Sequence, residues 1–387
     1  MGYWYWRPIV STKALTQSAT NRYDMPEQGA VSALAVRLTS VNAATLRAYD
    51  TTWNIQRSKL RLVGNGNHEI LNAEARHLAA MQYWETNAMP DLFLPHYSGN
   101  TQSYDILVQF GRWLGDPQYG LNLEKFTAGV QLEETNTFSS TYYTSGSDYL
   151  TVYALMYKDS GASMFTGGFF KKRQICNEDA VSRTQFAVKL PTENKLKQIH
   201  MFMEGDLSSN IRGTSWPSPI NNLWLGVKSR EEYILNNVPA HMLSRWMAAH
   251  FNLYPFTKGW AYDNSAGEGT HFETCIFHER ESTALVMGSV GAAGSTMQED
   301  TTSWQDSIAE LKFRTDAGVA QSGEAVLHNR GKAFFGQLPL LLQDPKANES
   351  EYLDARAMKD VYVEFTEANS TGNTYIVLDE LEKTYPT

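Results

Sequence analysis

Cysteine is almost absent from this chain of 387 residues: Cys176 and Cys275 are the only two, so a disulfide scaffold is excluded, and reducing conditions suit the protein. Charge is scarce too. Asp, Glu, Lys and Arg make up 19% of the residues, fewer than usual in a soluble domain. The formal net charge is -9, which argues against a phosphate-neutralising surface over the whole molecule, leaving room only for a local basic patch, and makes nucleic acid an unexpected main partner. No apolar stretch approaches the roughly 20 residues that a membrane-spanning helix requires. The opening Met-Gly-Tyr-Trp-Tyr-Trp has no basic segment followed by an apolar core, so no secretory leader is expected. Trp6 stands where myristoylation of Gly2 would need Ser or Thr.

Catalytic patterns are missing as well. No Gly-x-Ser-x-Gly elbow occurs, and the run 64–67, Gly-Asn-Gly-Asn, lacks the Lys and Ser or Thr of a phosphate loop and reads as a turn. His271, Glu273 and Cys275 would share one strand face as metal ligands, but His278 would face away, so ordinary strand side chains are the stronger reading. Adjacent carboxylates such as Glu133 and Glu134 point to opposite faces of a strand and do not act as a pair. Neither a cofactor nor a metal site is expected, and no enzymatic activity.

What is abundant is aromatic surface: 12% of residues, with 20 Tyr and 10 Trp, rings that suit strands and protein interfaces. Tyr3, Trp4, Tyr5 and Trp6 are consecutive, which a solvated tail does not carry. They imply either an arm reaching a neighbouring subunit or a bilayer headgroup zone, or packing on their own domain.

The chain also repeats itself. Ile70, Leu71, Asn72 and His77 return as Ile234, Leu235, Asn236 and His241 at one offset of 164 (234 minus 70). A fixed offset means one unit used twice. In the first copy an amphipathic helix is expected from about 73 to 86, with Ala75, Leu78, Met81 and Trp84 at helical spacing. In the second, Pro239 forces a late start or a kink. The two histidines are expected to pack or cap a helix, satisfied by a local polar partner. A second echo relates Val130, Leu132, Glu134 and Asn136 to Val363, Phe365, Glu367 and Asn369 at an offset of 233 (363 minus 130). The difference between offsets requires about 69 extra residues in the second unit (233 minus 164), the size of a surface insertion.

Alternating strands at short spacing with few helices give an all-β fold of two antiparallel sandwiches. The expected division is an N-terminal arm at 1–28, a first unit at 29–160, a linker at 161–184 containing Lys171-Lys172-Arg173, and a second unit at 185–387 with a long insertion at about 253–330.

The repeated turn, Ile-Leu-Asn and helix, together with the run Phe335-Gly-Gln-Leu-Pro-Leu-Leu-Leu342 leading through Leu353-Asp-Ala-Arg-Ala-Met-Lys359 into Val361-Tyr-Val-Glu-Phe365, resembles the double jelly-roll major capsid proteins of tailless icosahedral viruses, the lineage of adenovirus hexon and internal-membrane phages. The resemblance covers about residues 30 to 385 as an architecture. It implies two eight-stranded antiparallel jelly-roll barrels side by side, each with a short helix in a connecting loop. It further implies a pseudo-hexameric homotrimer that tiles a virion shell with neighbouring capsomers, penton and minor capsid proteins, over an internal lipid membrane where the virus has one, assembled in the host cytoplasm. The insertion would form an outward tower and the aromatic arm would lie on the inner side. The competing reading is a phage receptor-binding or carbohydrate-binding β-sandwich, which would use exposed Trp and Tyr as sugar platforms.

Overall fold

The computed structural model describes residues 2–16, 18–41, 58–86, 92–93, 101–136, 143–158, 165–179, 185–203, 220–240, 242–243, 246–247, 257–262, 286–287, 298–299, 309–314, 324–329, 337–344, 346–367 and 373–385. Eight principal strands form the first unit: β1 (Tyr3–Ala14), β2 (Thr20–Asp24), β3 (Ala30–Val41), β4 (Lys59–Gly64), β5 (His68–Glu74), β6 (Thr101–Gln109), β7 (Val130–Thr135) and β8 (Tyr149–Lys158), with helix α1 (Ala75–Thr86) after β5. Eight more form the second: β9 (Phe169–Asp179), β10 (Phe186–Leu190), β11 (Lys195–Met203), β12 (Ile220–Val227), β13 (Glu232–Pro239), β14 (Gln337–Leu341), β15 (Val361–Glu367) and β16 (Asn373–Glu382).

The two sets connect in the same way. The first unit has one sheet in the order β1-β8-β3-β6 and another in the order β2-β7-β4-β5, and the second unit has β9-β16-β11-β14 and β10-β15-β12-β13. Each strand of the second half thus takes the place of the strand eight earlier. Irregularities recur with the order, at Ile9 and Ile175, at Ser32 and Lys197, and at Ile70 and Ile234, where the ladders β1/β8 and β9/β16, β3/β8 and β11/β16, and β4/β5 and β12/β13 slip by one residue. A bulge bends a strand at one defined residue, so three shared bulges fix the correspondence residue by residue.

That register corrects the second sequence echo. Leu62 lies opposite Leu71 and Leu132, and Leu225 lies opposite Leu235 and Val363. Leu132 therefore corresponds to Val363, an offset of 231 (363 minus 132) rather than 233. A slip of two leaves every side chain on its own face, which is why the alternation alone did not reveal it.

The division also shifts. Residues 1–28 are no detached arm: β1 pairs antiparallel with β8 from Tyr3 opposite Lys158 to Ala14 opposite Tyr149, and β2 pairs with β7. Trp4 packs on Tyr157 at 5.0 Å between ring centroids, as own-domain packing implies, while Tyr3 and Trp6 remain exposed. Residues 161–184 are no simple linker, because β9 pairs with β16 along its length. Gly168, at φ +99, immediately precedes that strand, where a side chain would strike the Glu382 carbonyl. Within the insertion, Thr257–Tyr262, Glu324–Asn329 and Ala309–Arg314 form a three-stranded sheet and Val286–Met287 pairs with Gln298–Glu299.

Each barrel closes on its own apolar interior. Leu34, Val36, Leu62, Leu132 and Val152 belong to the first, and Ile199, Leu225, Val363, Phe365 and Leu378 to the second. Glu134 is the exception on β7, aimed into the first core where its counterpart on β15 is Phe365. Burial pushes its carboxyl up to about 7, against the pull of the hydrogen bond donated by Asn21 Nδ2 at 3.0 Å. A raised carboxylate pKa means the folded state holds a proton that the unfolded state has released, so stability falls as pH rises from about 4.5 to about 7. Glu134→Gln keeps an oxygen for Asn21 and removes the titration. Denaturant melts should show it more stable than the parent by about 2–3 kcal/mol at pH 8, with the gap closing below pH 5; a pH-independent difference would contradict the assignment.

Candidate assembly interface

The barrels meet along one seam, and the repeated residues lie in it. β5 accepts β9 as a parallel neighbour, Leu71 opposite Lys172 and Asn72 opposite Arg173, so the sheet β2-β7-β4-β5 runs on into β9-β16-β11-β14. Ile70 and Leu71 are buried, Asn72 donates to Glu69, and Glu69 also receives Arg61 at 2.9 Å. In the second copy Ile234, Leu235 and Asn236 occupy the equivalent strand β13, not a helix. Helical residues begin at Ala240, directly after Pro239, which supplies no N–H for a preceding turn. His241 lies outside the described residues.

Helix α1 is the seam's centre. Its Ala75, Leu78, Met81 and Trp84 stripe faces apolar neighbours as the spacing predicts, but residues Ala75 through Glu85 are all buried, because the second unit covers the polar side. The outer face of β9-β16-β11-β14 supplies that cover, contributing Phe202, Tyr375 and Val377 to the first unit's core. His77 lies there, stacked on Phe202 at 4.2 Å and beside Tyr375 at 4.8 Å. The expected polar partner is not found: neither ring nitrogen has a hydrogen bond, and burial, helped by the neighbouring Arg76 charge, holds its pKa well below the usual imidazole value. A neutral ring packed on aromatics is a core residue, not a ligand.

Two polar systems cross the seam. In one, Trp84 Nε1 donates to Gln337 Oε1 at 2.9 Å, Gln337 Nε2 lies 2.7 Å from His200 Nδ1, and His200 Nε2 lies 2.9 Å from Gln198 Oε1. That network assigns the His200 proton to Nε2, and burial lowers its pKa to about 3. In the other, Glu85 of α1 meets Lys172 of β9, Lys197 of β11 and Asp379 of β16 in an alternating quartet. Lys197 pairs with Asp379 at 2.9 Å and with Glu85 at 3.6 Å, and Lys172 reaches Asp379 at 3.4 Å. All four side chains are at most 2% exposed. Burial raises Glu85; it would raise Asp379 too, but the two ammonium groups outweigh it and hold that carboxyl below the ordinary range. Burial would lower Lys172, and the two carboxylates reverse the sign.

Desolvating four ions costs several kcal/mol each, an amount their attraction only about repays. What the quartet fixes is register, since sliding β9 by one residue would turn Lys172 to the other face of the sheet. No group of three or more His, Cys, Asp or Glu that could hold a metal occurs among the described residues, and the sequence cluster at 271–278 lies outside them. Cys176 is a buried thiol.

Lys172→Met strands Glu85 and Asp379 with one cation and should cost about 3–5 kcal/mol in denaturant melts. The pair Lys172→Met with Glu85→Leu should cost clearly less than Lys172→Met alone. Equal losses would show that the charges do not act together. Trp84→Ala, at a side chain 2% exposed, should cost about 3–5 kcal/mol, and an unchanged melt would remove it from the seam.

Comparison with family models and with curated protein sequences finds no match. Solved structures do match over the full length. The major capsid protein of Sulfolobus turreted icosahedral virus superimposes with a TM-score of 0.60 at 11% identity, covering 99% of this chain and 98% of that one. A chain of the atomic structure of the same virus gives 0.60 at 10% identity, over 99% and 91%. The major capsid protein P2 of bacteriophage PM2 gives 0.52 at 6% identity, over 98% of both. The chain has the double jelly-roll fold that these viral major capsid proteins share.

Proposed function

We propose that the chain is the major structural subunit of an icosahedral viral shell, acting as a homotrimer. The observation that carries this reading is the doubling: two barrels with the same strand order and the same three bulges, in one chain, in the fold of viral major capsid proteins. Three such chains in a ring present six similar sides, so one block tiles a lattice through near-equivalent edges. The reaction required of it is association, and no catalytic role is assigned.

In this reading the partners are two further copies, neighbouring capsomers, and the penton and minor proteins that complete the vertices. The inserted sheet of 257–329 faces outward, and an internal membrane, where the virus has one, lies beneath. The net charge of -9 suits a subunit that does not hold the genome directly. The site of the mature protein is the virion, after assembly in the host cytoplasm.

Light scattering on the purified chain tests the reading. It predicts a stable species of about three times the 43.6 kDa chain that goes on to form shells visible by electron microscopy. A chain that stays monomeric at micromolar concentration, or elutes late on an immobilised glycan as a monomer, would contradict it.

A further inference from the structure

The internal seam has two faces, and the duplication supplies a second copy of each that no strand covers among the described residues. β5 is covered by β9, but its counterpart β13 is the outer strand of β10-β15-β12-β13, and β9's counterpart β1 is the outer strand of β1-β8-β3-β6. The side chains at corresponding positions differ in exposure as an open seam requires. Ile70 is 0% exposed and Ile234 44%; Leu78 is 2% and Met242 37%; Gln82 is 8% and Trp246 53%. Across the seam, Lys172 is 2% exposed where Trp6 is 48%, and Val377 is 0% where Tyr153 is 41%.

These residues account for most of the exposed large apolar side chains among the described residues. Of the others, Tyr3 lies on β1 and Tyr233 on β13, and Trp113 and Leu114 adjoin Gly115, which packs against the Trp4 ring. A 12-residue edge strand carrying Trp6 and an 8-residue edge strand carrying Ile234 are what proteins cover rather than leave in water.

We infer that β13 of one copy receives β1 of the next as a parallel neighbour, with Trp6 opposite Leu235 and Arg7 opposite Asn236, so that the contact inside the chain is repeated between chains. The register follows from the bulges. Trp6 pairs with Leu155, and Lys172 with Asp379; Leu155 lies opposite Ala33 just past the Ser32 bulge, and Asp379 opposite Gln198 just past the Lys197 bulge. Trp6 therefore stands where Lys172 stands, and Arg7 where Arg173 stands. Leu235 and Asn236 stand where Leu71 and Asn72 stand, 164 residues on. Pro8, which has no N–H to donate, ends the pairing after two residues, the length of the internal bridge. The contact is head to tail, with different patches on the two partners, and such contacts close into rings. Its chemistry differs from the internal copy: the face that carries Lys172 against Glu85 inside the chain carries Trp6 between chains, so the internal seam is keyed by charge and the external one by apolar area.

This inference rests on the trimer reading, and the test separates the two. The full chain carrying Trp6→Cys and Leu235→Cys is first sized by light scattering, then mildly oxidised. Paired positions bring Cα atoms within the roughly 4.4–6.8 Å that a disulfide spans, so covalent trimers should appear on non-reducing gels. Trp6→Cys with Glu232→Cys, three residues out of register, should not cross-link. As a check independent of cysteine chemistry, Trp6→Glu and Ile234→Glu alter exposed side chains, so the chain should keep its near-ultraviolet circular dichroism while trimer association weakens at least about tenfold. A trimer that neither cross-links at 6 and 235 nor weakens with either Glu would overturn the seam and leave the trimer standing. A wild-type chain that is monomeric would overturn both.

Discussion

An exposed strand edge must find a partner or be covered, and this constraint organises the molecule. Opening a jelly roll at β5 leaves a row of backbone donors and acceptors, and the chain answers by laying β9 of a second jelly roll along it. Everything else at the seam serves that contact. Helix α1, which would be a half-buried surface helix on an isolated barrel, becomes buried on all sides, and its polar face is acceptable only because Gln337, Lys172 and Lys197 meet it. Apolar area glues the barrels, while the buried ions set which residues stand opposite.

Much of the architecture was legible in the sequence. The Ile-Leu-Asn echo marks the strand that leads into the helix in both halves, and Ile70 and Ile234 prove to be the same bulge, a place where one residue type answers a specific backbone shape. Alternation through Val130, Leu132 and Glu134 and through Val363 and Phe365 found β7 and β15, because one face of each meets a core. Where alternation fails, so did the reading. β1 carries four aromatics in succession and is largely exposed on both faces, so it reads as an arm although it is a sheet edge. β9 carries Lys171-Lys172-Arg173, charges that ordinarily mark a loop, because here a buried strand is neutralised by carboxylates from elsewhere in the chain.

The seam itself was invisible for a related reason. Glu85, Lys172, Lys197 and Asp379 are unremarkable alone and separated by 25 or more residues, so only the fold shows that they converge (197 minus 172). His77 was legible in part: the packing role expected of the repeated histidine is met by Phe202 and Tyr375, while the expected polar partner is absent, because aromatic rings rather than polar groups surround the imidazole. The off-by-two echo at β7 and β15 shows the limit of periodicity, which assigns faces but not registers.

In the proposed assembly the chain carries its assembly rule internally, the contact between its halves serving as the template for contact between copies. A density map of the assembled particle tests that claim most directly. The account predicts six near-equivalent barrels about each threefold axis, with β1 of every chain lying beside β13 of the next as β9 lies beside β5. A map in which β1 and β13 both face solvent, or in which the contact between chains uses other strands, would contradict it.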